Sequence, residues 1–193
     1  MKIIKTNYEN ISWEDIKWMK KLNLGCGFDY REGYINCDMF KEVNPDIVLN
    51  LEAKLPFEDN SIEEVLANHI LEHITFFIPL MHELHRILKV GGIIKIRTPF
   101  YSTWGQFNDP THVRFFTPFT FNYFKENIYS HEVNCNKNMF KVNKVRIHFG
   151  IGQSKIMNCF IDPILNLSHR IYCRFFAWIF PAAEIEYELE KEE

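Results

Sequence analysis

Three groups of residues in this 193-residue chain have types and spacings that can do chemistry. The first is Gly25-Cys26-Gly27, which follows the short run Leu22-Asn23-Leu24 and precedes Asp38 by eleven residues. A Gly-x-Gly turn at the end of a strand lets backbone amides approach a ligand, because no Cβ stands in the way. An acid closing the next strand, Tyr34-Ile-Asn-Cys37-Asp38, can accept two hydrogen bonds from a ribose diol. Together they point to a nucleoside-bearing cofactor at the carboxyl edge of parallel strands. The second group is His69-Ile-Leu-Glu72-His73, two imidazoles and a carboxylate within five residues. The third is Asp109-Pro-Thr-His112, inside the long loop 99–116. An imidazole of ordinary pKa, about 6.5, suits proton removal from a hydroxyl or amine, which makes His112 the first candidate base and His69 the second.

The elements that position these groups read as alternating strands and helices. Leu22–Gly25, Tyr34–Cys37, Asp46–Leu51, Glu64–Asn68 and Ile93–Arg97 are strand-like. Residues 76–89 carry Phe77, Leu80, Met81, Leu84, Ile87 and Leu88 at helical spacing, with Gly91-Gly92 as the expected stop. Ser12–Lys20 and Thr117–Asn127 each begin with a hydroxyl cap and are expected helices. Phe140–Phe149 and Glu184–Lys191 alternate in polarity, the second as a half-exposed antiparallel strand. Between them, residues 155–180 form an aromatic-rich, expectedly helical insertion. Only six residues separate Gly27 from Tyr34, too few for the helix that usually joins parallel strands, so the first crossover is expected to be a loop.

Composition narrows the classes. A net charge of −3 gives no basic field for nucleic acid. Five cysteines without a Cys-x-x-Cys pair speak against a disulfide framework or a structural zinc site, and Cys26 reads as a small residue lining the turn. Neither a signal peptide nor an apolar run of membrane-spanning length is evident, so the expected setting is cytoplasmic. Lys141, Lys144 and Arg146 read as a solvated strand face, and His82 and His85 as solvent-facing.

Further blocks, Leu55-Pro-Phe-Glu-Asp-Asn-Ser61 and Arg86-Ile-Leu-Lys89-Val-Gly-Gly92, follow the glycine turn and acid in order. The series over residues 21–98 resembles class I S-adenosylmethionine-dependent methyltransferases, in particular the type 11 group. The resemblance implies a single Rossmann-like α/β domain with a mostly parallel seven-strand sheet and an antiparallel last strand. Residues 21–98 would be its cofactor-binding core and 99–116 its substrate loop. It implies S-adenosylmethionine as cofactor, held by Asn23, Leu24, Gly25, Cys26, Gly27, Asp38, Asn50, Leu51, Asn68 and His69. His112 and His69 are the catalytic candidates, and no metal is expected. The third glycine often found in the family turn is replaced here by Asp29, and Asn50-Leu51 stand where many relatives carry an acid. Asp109-Pro-Thr-His112-Val-Arg114 resembles a block of relatives encoded among sugar and cell-surface polysaccharide genes. A small-molecule acceptor is therefore implied, such as a sugar or lipid-linked glycan. Residues 155–180 suit a peripheral membrane contact, a homodimer surface, a lid or extra core. Two other functions remain open at this level: a catalytically inactive binding subunit of the same fold, and a zinc hydrolase using His69, Glu72 and His73 in the inverted zinc-peptidase order.

Overall fold

The computed structural model describes residues 19–125, 138–150 and 155–193. Seven strands form one sheet: β1 (Lys21–Leu24), β2 (Ile35–Asp38), β3 (Ile47–Val48), β4 (Ile62–Asn68), β5 (Leu88–Pro99), β6 (Phe140–His148) and β7 (Glu184–Lys191). Their order is β3-β2-β1-β4-β5-β7-β6. The first five run parallel, and β7 lies antiparallel between β5 and β6. Leu22, Leu24, Val65, Ala67, Ile94 and Ile96 fill the centre, as expected of strands covered on both faces.

Helix α1 (Phe77–Ile87) packs Phe77, Leu80, Met81, Leu84 and Ile87 into the core. It ends sooner than its periodicity suggests. Leu88 is already extended, because it pairs with Ile62 of β4. Gly91-Gly92 are therefore not the helix stop; they lie where the β4–β5 register shifts, with Gly91 at φ +78°. Such a bulge needs the left-handed freedom of glycine. His85 on α1 is not solvent-facing either. Its ring stands edge-on to Phe140 at 5.4 Å, Nε2 is buried without a partner, and burial lowers its pKa.

Residues 28–33 between β1 and β2 turn without a helix, closed by Asp29 N donating to Cys26 O and Tyr34 N to Arg31 O. Asn36 braces this loop: its Oδ1 accepts from Arg31 N and from Asn23 Nδ2. β3 is shorter than the expected Asp46–Leu51, since Asp46 turns its carboxylate onto Asn36 N and residues 50–53 form a turn. Thr117-Pro118 opens only a 3₁₀ segment, Thr120–Phe124, where Thr120 Oγ1 accepts from Thr117 N. The rest of that expected helix, and nearly all of Ser12–Lys20, lie outside the described residues.

Residues 155–180 are helical as expected. α2 (Trp104–Asn108) follows β5; α3 (Lys155–Leu165) and α4 (His169–Ile171) then lead into a π-helical turn, Tyr172–Phe176. This last segment covers the outer edge of β6. Asn166 accepts from Ile147 N and donates to Ile147 O, and Asp162 accepts from Phe149 N. Capping an edge strand this way uses backbone groups that would otherwise invite another chain. The cover leaves Phe160, Ile164, Leu167, Phe175, Trp178 and Ile179 exposed. No helix among the described residues is long and apolar enough to cross a membrane.

Candidate active site

The chain from β1 enters a tight turn in which Gly25 and Gly27 both adopt positive φ, +60° and +49°. A Cβ on Gly25 would meet Ile70 Cγ1 at 2.5 Å, whereas one on Gly27 would point into open space. The turn is tied to β2 by Asp38, whose Oδ2 accepts from Gly27 N at 2.8 Å while Oδ1 accepts from Phe40 N at 2.9 Å. Each carboxylate oxygen has two lone pairs, so Asp38 keeps acceptor capacity for a ligand.

A cleft of about 600 Å³ opens over this turn, within the range of small-molecule sites. Gly25, Asp38, Asn50, Leu51 and His69 line it, together with Met39, Leu49, Ile70, Ile74 and Thr111. Apolar walls around the Asp38 carboxylate and an open glycine turn fit a nucleoside, with a flat base between side chains and a diol against Asp38; the second carboxylate on the wall, Glu52, is spent on Thr75 N and Phe76 N. Other expected binding residues take different places. Asn23, Leu24 and Cys26 are buried beneath the turn, and the Asn23 amide is used within the chain on Asp29 O and Asn36 Oδ1. Asn68 lines a separate hollow with Lys95, Arg97 and Tyr187. The Asn50 side chain accepts from Glu52 N. Burial raises Cys26 to about 12, so its thiol is not a nucleophile.

At the far end of the cleft β4 stops at His69, a non-glycine residue held at φ +51°. His69 Nε2 meets Glu184 Oε1 at 2.9 Å, and Nδ1 lies 3.3 Å from Glu72 Oε1. The contacts with Glu184 and then Glu72 push His69 up to about 9. A protonated ring has no lone pair, so His69 is a fixed cation at neutral pH. Glu72 and His73 belong to a single 3₁₀ turn, Leu71–His73, and do not share a helix face with His69.

The loop after β5 folds onto that turn. Val113 N and Arg114 N donate to Glu72 O, and the Arg114 guanidinium donates to Ile74 O and Thr75 O. This brings His112 beside His73, their rings 4.7 Å apart. His112 Nδ1 meets Gln106 O at 3.1 Å, a carbonyl that can only accept. Nδ1 therefore carries the proton and Nε2 the lone pair. Sequence spacing marked Gly25, Asp38, His69 and His112. It gave no sign that Glu72 and His73 would join His112, because their meeting depends on a loop some forty residues away.

Comparison with known proteins agrees with this geometry. A methyltransferase-domain family model matches residues 18–96. A search of curated proteins gave no match. Among solved structures, an S-adenosylmethionine-dependent methyltransferase from Archaeoglobus fulgidus superposes with TM-score 0.55 at 16% identity, covering 92% of this chain and 90% of that one. A second, from Mesorhizobium loti, gives 0.56 at 14% identity over 89% and 90% of the two chains. A Haemonchus contortus N-methyltransferase in complex with phosphomonomethylethanolamine and S-adenosylhomocysteine gives 0.53 at 12% identity, over 90% of this chain and 48% of that one. The sheet order and its antiparallel β7 are thus those of the Rossmann-like methyltransferases. With the domain matched over residues 18–96, they make the chain similar in fold and in its first half to class I S-adenosylmethionine-dependent methyltransferases.

Proposed function

We propose that this chain is an S-adenosylmethionine-dependent methyltransferase that methylates a hydroxyl or amine of a small acceptor presented at a lipid surface, such as a lipid-linked sugar. The observation that carries this is an exposed aromatic surface shared by the loop after β5 and the 155–180 segment. Phe107 of α2, in the proposed substrate loop 99–116, packs at a tilt against Phe115 at 5.5 Å and reaches Trp178 of the 155–180 segment at 6.4 Å. Arg170 and Arg174 are exposed in that segment, while Asp162, its one acid, is buried and paired with His148. Exposed aromatics beside exposed cations suit the headgroup region of an anionic bilayer. A cytoplasmic enzyme acting at the membrane face fits these features, and a homodimer through the same surface is the second reading.

The cofactor supplies an activated methyl group on a sulfonium, transferred by in-line displacement that depends chiefly on alignment. Asp38 and the Gly25–Gly27 turn would hold its ribose, Leu49 and Leu51 its base. His112 Nε2 is placed to take the acceptor's proton, with Gln106 O fixing its tautomer. The test is transfer of labelled methyl groups from S-adenosylmethionine to a panel of free sugars and glycolipids in anionic vesicles. Transfer confined to vesicle-borne acceptors supports the proposal. Equal transfer to free sugars removes the lipid part, and no transfer by protein that binds S-adenosylhomocysteine favours a binding subunit.

A further inference from the structure

We propose that Glu72, His73 and His112 form a binding site for one divalent transition-metal ion at the acceptor end of the cleft. One donor atom from each lies within 4.8 Å of the others. Three further observations make them a ligand set and not a chance grouping.

Glu72 is completely buried, yet neither carboxylate oxygen has a hydrogen-bond partner. The His69 cation faces Oε1 at 3.3 Å, outside hydrogen-bond geometry, so it offsets the charge without filling a lone pair, and Oε2 has no partner at all. A buried carboxylate left in that state is costly unless something else satisfies it. The two imidazoles are also prepared as ligands. His112 spends Nδ1–H on Gln106 O, as described. For His73 the chain is longer: Thr111 Oγ1 donates to Asp109 Oδ1 at 2.6 Å, so it must accept from His73 Nδ1–H at 2.8 Å. Both rings therefore present Nε2 as a lone pair, each oriented by an outer hydrogen bond, the arrangement found behind metal-bound histidines. Finally, the donor set is specific. Two imidazoles and a carboxylate suit zinc, cobalt or iron(II) and leave coordination positions open, whereas magnesium and calcium favour oxygen donors.

Tetrahedral ligands about 2.0–2.2 Å from a metal stand about 3.3–3.5 Å apart, so side-chain rotation of roughly an ångström closes the group. An acceptor hydroxyl bound at the open position would lose its proton to solvent more readily. His112 then serves as a ligand in the loaded protein and as the proton acceptor in the metal-free one. The binding claim does not depend on the proposed acceptor.

The experiment uses untagged full-length protein freed of metal, titrated with Zn²⁺ by calorimetry and with Co²⁺ by visible absorption, with Mg²⁺ as comparison. One ion per chain is expected, with cobalt bands of low-symmetry coordination and no response to Mg²⁺. His73→Ala and His112→Ala should abolish binding. Thr111→Val, which removes the acceptor of His73 Nδ1–H together with the Thr111–Asp109 bond behind it, should weaken it roughly 10- to 100-fold. Circular dichroism and the urea midpoint verify that each variant is folded, and S-adenosylhomocysteine binding with and without Zn²⁺ separates an effect on the cofactor cleft, which His73 and Thr111 also line, from loss of the metal. Folded wild-type protein that takes up no Zn²⁺ or Co²⁺, or uptake that survives both histidine substitutions, overturns the proposal.

Discussion

Replacing Asp38 with Asn should separate the two tasks of its carboxylate. In the free protein that group accepts from Gly27 N at 2.8 Å and Phe40 N at 2.9 Å, holding the glycine turn to β2. Asparagine keeps one acceptor oxygen and turns an NH₂ toward the other amide. One hydrogen bond to a charged acceptor, about 1.5–3 kcal/mol, is lost, and a partly buried N–H faces another donor. Stability should fall by about 2–3 kcal/mol, read as a lower urea midpoint at unchanged slope. Binding adds a second loss. If the carboxylate also takes the ribose diol, S-adenosylhomocysteine affinity should drop by roughly 10- to 100-fold, about 1.4–2.8 kcal/mol. The assay is calorimetric titration at a temperature where the variant is fully folded, with the urea curve measured in parallel. A 2′,3′-dideoxyribose analogue of the ligand closes the cycle: wild type and Asp38→Asn should bind it nearly alike. An affinity for S-adenosylhomocysteine within twofold of wild type would refute the ribose assignment, even if stability falls as expected.

Gly25→Ala combines a positive φ with a Cβ 2.5 Å from Ile70 Cγ1, so strain of about 1–2 kcal/mol and overpacking of about 1–3 kcal/mol should add in the urea midpoint. Gly27→Ala, with open space at its Cβ, should cost only the strain of its positive φ, so its urea midpoint should fall less than that of Gly25→Ala. His148 is raised above its ordinary 6.5 by Glu186 and then Asp162, with Lys144 and Arg97 also facing Glu186 and Arg146 facing Asp162. Its contribution is complete below pH 6.5 and disappears as pH rises through the folded-state value. Glu186, lowered to about 2 chiefly by His148, loses its share as pH falls through 2. The stability gap between wild type and His148→Gln should therefore be widest between about pH 4.5 and 6.5 and narrow as pH rises through the raised folded-state value of His148. Arg170→Glu with Arg174→Glu should reduce co-sedimentation with anionic vesicles several-fold, and raised salt should reproduce the loss in wild type. Unchanged sedimentation would point to the dimer reading.

The fold was legible where each side chain faced a constant environment. β7 shows its alternation because Leu189, Tyr187 and Ile185 face the core while Glu186, Glu188 and Glu190 alternate with them, and its observed bounds are those expected. α1 was legible from its apolar face, but not its end, because the stop is imposed by Leu88 pairing with Ile62 and not by the glycines nearby. β3 was overestimated for a similar reason: Val48 and Leu49 look strand-like, while Asp46 and Asn50 spend their side chains on turns. For the site, the glycine turn and Asp38 are local chemistry and can be read from spacing. The Glu72–His73–His112 group is not, since Arg114 must first clamp its loop to Ile74 and Thr75. His85 was misread because a polar residue on an amphipathic helix gives no hint that Phe140 will cover it.

The placement of β7 between β5 and β6 has a consequence for how the nascent chain matures. β6 is synthesised before β7, yet among the described residues every backbone ladder bond it makes to another strand is to β7. The outward edge of β5 waits for the same element. Until Glu184–Lys191 emerges, two strand edges stand open at once, one of them carrying Phe140, Val142, Val145 and Ile147. Open apolar edges are templates for pairing with other chains, so the nascent domain passes through an aggregation-prone state in the interval before β7 emerges. Ribosome pausing or a holding chaperone would matter most in that interval, and premature termination before Glu184 should give insoluble product and not a smaller folded domain.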